Sequence, residues 1–368
     1  MTATAARAYR PALRPGVLLS PPLLRGPRTV HLVKHPVSGA AFEVGIKEHF
    51  LISRLDGTRN LDDLAPVYAE QFGRRLGEEH WNRLLGLLGT RGLLVGAPDP
   101  AAPTPAPRRP NSLWHGTRPM VADADATTAR LHRLLRPLLH RAVQLPLLAA
   151  VLALIGALAR QSGALLDGTS ELVRQPFALM GVALFLWASI TLHELAHGVA
   201  AQHYGGHVAE IGLRWRFPAA LLYCTVDNYL FLPGRWAKLV IAGAGAYLNM
   251  LLLLPFGVWW FLLPADAPER SPLAGLLVLG TIQALSNLVP LPPLDGYRML
   301  GHAIGAAHLA PETRTYLALR RRGAAGAEAL AGYSARARRI YTAYALGSTV
   351  LVLLAAAATI TFVLHLLG

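Results

Sequence analysis

The sequence predicts a mainly α, polytopic membrane protein with a small soluble α+β unit at its N-terminus, and three observations carry that prediction. Hydrophobic residues make up 53% of the 368 residues and charged ones only 15%, with a mean hydropathy of +0.36; this is too apolar for an ordinary soluble protein. About five apolar runs lie beyond Arg141, each near the ~20 residues that cross a bilayer. The stretch before residue 97 instead mixes short alternating and helical patterns. The expected divisions are an unstructured arm over 1–27, a compact unit over 28–96, a proline-rich linker over 97–120 and a membrane domain over 121–368.

The arm is rich in Ala, Arg and Pro, a composition that resists packing. It lacks an apolar core of signal-peptide length, so the N-terminus is expected to stay in the cytoplasm. Thr29–Lys34 alternates like a strand, and Ala41–Val44 is its expected partner across the turn residues Pro36–Gly39. An amphipathic helix is expected over Ile46–Leu55. A second follows the N-cap residue Asn60, with Leu61, Leu64 and Val67 on one face. A third covers Gly77–Leu88, and Gly92–Val95 is expected as a closing wing strand. The segment F-L-I-S-R-L-D-G-T-R-N-L-D-D-L, followed by a helix and R-G-L-L, resembles the PqqD-like family of small winged-helix domains. That resemblance implies binding of the leader segment of a ribosomally made peptide by strand addition to a sheet edge. A generic winged helix without a peptide function is the competing reading. Ala97–Pro110 then reads as a semi-rigid extended linker.

Arg130–Arg141 (R-L-H-R-L-L-R-P-L-L-H-R) is basic and amphipathic, suited to an anionic lipid surface. The apolar runs follow at Ala142–Ala159, Pro176–Ala201, Ala237–Leu263, Leu273–Leu291 and Ile340–Leu367, with Arg160–Gln175 as a short polar loop. Basic residues crowd two of the connections, at Arg214 to Lys238 and Arg298 to Arg339. The P-A-D-A-P-E-R-S-P loop is acidic on balance. The positive-inside rule then places the N-terminus in the cytoplasm and the C-terminus outside. The formal net charge is +14, but these arginines flank apolar runs, so the lipid bilayer and not nucleic acid is the expected partner. Cys224 is the only cysteine; no intrachain disulfide and no cysteine zinc cluster is possible, and it reads as a packed thiol.

Within the second run, Ser189–Ala200 reads S-I-T-L-H-E-L-A-H-G-V-A. Residues four apart share a helix face, so His193 and His197 can offer both imidazoles to one metal ion. Glu194 projects beside them, where it can accept a proton from water. An accidental H-E-x-x-H is the competing reading. Ionisable groups at membrane depth are costly, however, and usually mark function. The fourth run ends N-L-V-P-L-P-P-L-D-G-Y-R, and the topology brings Asp295 to the same cytoplasmic depth as the histidines. Asp295-Gly296 reads either as a loop turn or as a carboxylate turned inward where prolines unwind the helix. The matching depth favours the second, which gives a third ligand and leaves the fourth position to water.

H-E-L-A-H-G in one span with N-x-x-P-x-P-x-L-D-G in a later one resembles the site-2 protease family of intramembrane zinc metalloproteases, over about Phe177–Leu300. Y-G-G-H-V-A-E-I-G-L-R with Y-C-T-V-D is similar to bacterial peptide zinc metalloproteases. The resemblance implies that His193, His197 and Asp295 bind Zn2+ and that Glu194 is the general base. It also implies that Asn287 helps to hold the substrate, and that Gly205–Leu232 forms a membrane-associated hairpin. The chain departs from the family's usual Gly-Pro in the third span, where Gly243–Asn249 reads G-A-G-A-Y-L-N. The expected activity is hydrolysis of a peptide bond, in a ribosomally synthesised modified peptide or its leader during maturation or export. Regulated cleavage of a membrane-anchored signalling protein is the alternative. A non-proteolytic peptide carrier or immunity protein with structural zinc would need a fourth protein ligand. His203 and His207 read as interfacial, and His302 and His365 as structural.

Overall fold

The computed structural model describes residues 9–98, 111–217, 219–232 and 234–367, and it divides into two compact units. The first combines the N-terminal residues up to Arg108 with Gly305–Tyr341; the second holds Arg109–Ile304 and Thr342–Gly368. The expected linker segment at 99–110 and the first eight residues of the expected arm lie outside the described residues.

In the first unit, β3 (Arg28–Lys34) pairs antiparallel with β4 (Ala41–Gly45), as the alternation of Thr29–Lys34 predicts. Val33 and Val44 point into the core. The segment expected to be an unstructured arm departs from that expectation. Leu18–Leu19 (β1) and Leu23–Arg25 (β2) both pair with β3, and Leu23 and Leu24 are buried. Strands this short carry no periodicity of their own and form only because β3 offers them an edge. Three helices follow: α1 (Ile46–Ile52), α2 (Leu61–Phe72) and α3 (Glu78–Thr90). Asn60 caps α2 in a capping box, accepting from the Asp63 N–H while the Asp63 carboxylate accepts from the Asn60 N–H, which satisfies two otherwise orphan donors. Ile52, Leu64, Tyr68, Leu88 and Leu93 are among the most deeply buried side chains of this core. The expected wing at Gly92–Val95 is a turn with a single bridge, Leu13 to Leu94.

The same unit contains α11 (Leu309–Arg321), α12 (Ala324–Ala331) and the first turns of α13 (Ala335–Leu367). Leu24 donates to the Gly305 carbonyl at 2.7 Å and accepts from the Ala307 N–H at 2.9 Å. Tyr316, Tyr333 and Tyr341 cluster, and the Tyr341 hydroxyl donates to the Gly26 carbonyl at 3.2 Å.

The second unit begins with β5 (His115–Pro119), α4 (Ala124–Leu135), α5 (Arg141–Arg160) and α6 (Ser162–Val173). It continues through α7 (Pro176–His203), the hairpin β6 (Val208–Arg216) and β7 (Ala219–Val226), and α8 (Arg235–Leu262). It ends with α9 (Arg270–Ser286), α10 (Asp295–Ile304) and the rest of α13. Among the described residues, four helices are long and apolar enough to cross a membrane: α5, α7, α8 and α13. The fourth of the five expected spans is the shorter α9, 17 residues long, because the prolines after Asn287 end it early. The polar loop expected at 160–175 is instead mostly the helix α6. Its Leu165 and Leu172, seven residues apart, are both buried in the core shared with α5, α7, α8 and α9. Gly275 of α9 lets the two helices approach, since a Cβ there would meet the Leu172 side chain at 2.2 Å.

Candidate metal centre

Helix α7 places its two motif histidines one turn apart and buries both, at 4% and 6% exposure. The turn that follows α9 ends at Asp295, the first residue of α10 and itself 7% exposed. Asp295 Oδ2 lies 3.0 Å from His193 Nε2 and 3.2 Å from His197 Nε2, and the two Nε2 atoms are 3.2 Å apart. All three donor atoms therefore fall within 4.8 Å of one another.

The turn owes its shape to Asn287 and Gly296. The Asn287 carbonyl accepts the Gly296 N–H at 2.7 Å. A Cβ on Gly296 would come within 2.0 Å of the Leu288 carbonyl oxygen, so only glycine lets the backbone close here. The Asn287 side chain lies outside the cluster and donates to the Gln283 carbonyl at 3.0 Å. Asp295 also lies 3.5 Å from an Arg298 guanidinium nitrogen through its other oxygen.

The outer nitrogens of both rings have partners, all on α8. His197 Nδ1 lies 2.7 Å from the Ile241 carbonyl. A carbonyl can only accept, so Nδ1 carries a proton, which leaves Nε2 as the ring atom available to bind a metal. His193 Nδ1 lies 3.2 Å from the Asn249 carboxamide. Gly245, between them on α8, faces the His193 ring: a Cβ there would sit 2.4 Å from Nε2. Despite lacking Gly-Pro, α8 runs unbroken through Gly243–Asn249.

Glu194 is half-buried and turns toward the hairpin, where Oε2 accepts the Cys224 N–H at 3.3 Å. The expected hairpin is present as β6 and β7, tied to α7 by a hydrogen bond from Trp187 Nε1 to the Ala220 carbonyl at 2.9 Å. It carries a third strand, β5, from within the segment expected to be linker. Gly116 makes that strand possible, because a Cβ there would lie 2.2 Å from the Trp215 ring. Burial pushes the Cys224 thiol up to about 12, with Glu194 adding to the shift, which suits a packed thiol and not a nucleophile.

The remaining histidines stand apart. His203 Nδ1 lies 3.3 Å from His132 Nε2, and His207 lies 3.8 Å from Asp125. His302 packs edge-on against Tyr229; burial, then Lys238 and Arg298, push it down to about 4. The side chain of His365 lies outside the described residues.

Two imidazoles and one carboxylate, converging in a buried site with no fourth protein donor within the cluster among the described residues, fit the ligand chemistry of a catalytic zinc ion. Sequence reasoning missed the Ile241 carbonyl, Gly245 and Asn249. The signal available was a lone Asn in an apolar run, a polar group at membrane depth that calls for a partner.

No protein-family model matches the chain, and no solved structure does. It is 29% identical over 214 residues to "Putative zinc metalloprotease Rip2" of Mycolicibacterium smegmatis, across 50% of this chain and 78% of that protein. The protein of the same name in Mycobacterium tuberculosis is 29% identical over 174 residues, across 39% of this chain and 64% of that one, just under two thirds of its length. "Putative zinc metalloprotease YwhC" of Bacillus subtilis is 28% identical over 160 residues, across 34% and 70%. The chain is thus similar, over half of its length or less, to proteins named as zinc metalloproteases.

Proposed function

We propose that this chain is an intramembrane zinc metalloprotease of the site-2 protease type, with His193, His197 and Asp295 as metal ligands and Glu194 as general base. The observation that carries the reading is the convergence of two imidazole nitrogens and a carboxylate oxygen, 3.0–3.2 Å apart, from α7 and α10. The names of the relatives support it.

A zinc ion held by His193, His197 and Asp295 would supply Lewis acidity at the site. Glu194 takes the proton from the attacking water and returns it to the leaving amine nitrogen. The Cys224 N–H holds one of its carboxylate oxygens in place for that exchange. Asp295 brings a negative charge that complements the ion, and the Arg298 guanidinium sits against the carboxylate oxygen turned away from the histidines. A helical substrate hides its scissile carbonyl in its own hydrogen bonds, so it has to unwind. The β6–β7 hairpin and the turn beginning at Asn287 are where the extended segment would be held.

The N-terminal unit suggests the substrate class. A PqqD-like domain that captures a leader raises the effective concentration of a ribosomally made peptide at the membrane site. The enzyme then sits in a membrane with its N-terminus in the cytoplasm and trims that peptide during maturation or export.

The test is mass spectrometry of small peptides encoded beside the gene, co-expressed with the full chain. Wild type is expected to yield a cleaved product. Glu194→Gln is expected to slow cleavage by roughly 10²–10⁴-fold while elemental analysis still finds one zinc per chain. Unchanged cleavage in the Gln variant would remove Glu194 from the mechanism.

A further inference from the structure

Helix α8 touches the site at Ile241, Gly245 and Asn249, which are four residues apart and so lie along one face. The first holds His197 through its carbonyl, and the second leaves room for the His193 ring. The third is a polar side chain only 3% exposed, and its carboxamide is the group that meets His193 Nδ1, at 3.2 Å.

The oxygen and nitrogen of a carboxamide have nearly the same shape, and hydrogen bonding decides which is which. With the amide nitrogen toward His193, Nδ1 has to be the bare acceptor. The ring proton then falls on Nε2, the atom that faces Asp295 and His197. That arrangement also leaves Asn249 Oδ1 buried without a partner. Turning the carboxamide over places Oδ1 against Nδ1–H and frees the Nε2 lone pair, matching the tautomer that the Ile241 carbonyl imposes on His197.

We infer that Asn249 is a positioning residue, whose Oδ1 accepts the Nδ1 proton of His193 and so fixes that ring's tautomer and angle for metal binding. The inference rests on the metalloprotease reading and adds a residue that acts through His193 without touching metal or substrate. Groups in this position typically change metal affinity 10–100-fold when removed.

The test uses the full chain in lipid nanodiscs and follows metal, not turnover. Zinc affinity is measured by competition with a chelator, and Co2+ loaded in place of zinc reports ligand geometry through its visible absorption. Asn249→Ala is expected to weaken zinc about 10–100-fold and to shift the cobalt bands. Asn249→Asp, which keeps an acceptor at the same reach, is expected to restore most of both. Asn249→Leu, with similar volume and no acceptor, should behave like Ala; it replaces Ala in the comparison if that variant does not fold. Affinity within twofold of wild type and unchanged bands in the variants lacking an acceptor would overturn the inference, as would an Asp variant no better than Leu. Two controls isolate the parent reading. His193→Ala should lose the metal and Glu194→Gln should keep it, whatever Asn249 does. A wild-type chain that takes up neither zinc nor cobalt would defeat both.

Discussion

Helix α7 takes part in two close pairs of imidazoles, His193 with His197 within the helix and His203 with His132 of α4 at its C-terminal end. The nitrogen separations are nearly equal, 3.2 Å and 3.3 Å. Almost everything else differs. The first pair is buried, has a carboxylate 3.0–3.2 Å from both rings, and has each outer nitrogen held by α8. His203 is exposed and His132 only partly covered. The influences on His132 after burial are His203 and Arg136, and all three lower its pKa. Proximity of two histidines is therefore not what makes a metal site. A third ligand of opposite charge, exclusion of water and fixed ring orientation separate the two pairs.

The largest effect on this contrast is expected from removing the carboxylate. Asp295→Asn keeps the shape but leaves two neutral rings without the charge that distinguishes their site. Zinc affinity should fall by more than the ~100-fold typical of outer-shell changes, as read by chelator competition. Retention of tight zinc binding would show that the two histidines suffice, and would erase the distinction from the second pair.

Gly245→Ala tests room, not charge. In a helix interior Ala is ordinarily better than Gly by about 0.5–1 kcal/mol. At Gly245 the new methyl would meet the His193 ring at 2.4 Å, and crowding of that kind costs about 1–3 kcal/mol. Gly243, two residues before the clash on the same helix, is the control: a Cβ there makes only ordinary contact, 3.6 Å from the Met299 side chain. Thermal unfolding and zinc content should therefore separate the variants. Gly243→Ala is expected to keep its metal and be at least as stable as wild type, and Gly245→Ala to lose both stability and metal. Equal behaviour would mean that the ring is free to swing away.

How much of this was legible beforehand depends on which atoms do the holding. His193 and His197 declared themselves through spacing, because four-residue separation has one geometric meaning on a helix. Asp295 was reachable through charge bias in the loops, which aligned the ends of two spans. The α8 contacts were harder. Any residue type at 241 supplies a carbonyl, so sequence carries no trace of that hydrogen bond, and a glycine in an apolar helix does not say what it makes room for. Asn249 left a signal, but its partner lies 56 positions away. Elsewhere the misses share a cause. The β1, β2 and β5 strands are short and irregular, and each exists only against a strand that offers its edge. Helix α6 hid behind its polar residues, because the two buried leucines on one face count for little in a composition average.

The smallest effect should come from the second pair itself, and that makes it the sharpest check on the contrast. His132→Gln with His203→Gln removes two imidazoles nearly as close to each other as the first pair, one of them on the same helix α7. Among the described residues no carboxylate bridges them, so they have no basis for holding a metal that competes with the buried site. Their contact is solvent-exposed, so the double change should shift stability by no more than about 0.5 kcal/mol. Zinc content should stay at the wild-type value, with the cobalt bands in place. Loss of a second metal equivalent on making that change would show that exposed imidazole pairs bind here after all. Burial and the Asp295 carboxylate would then no longer distinguish the proposed metal site on α7 from the exposed pair at its end.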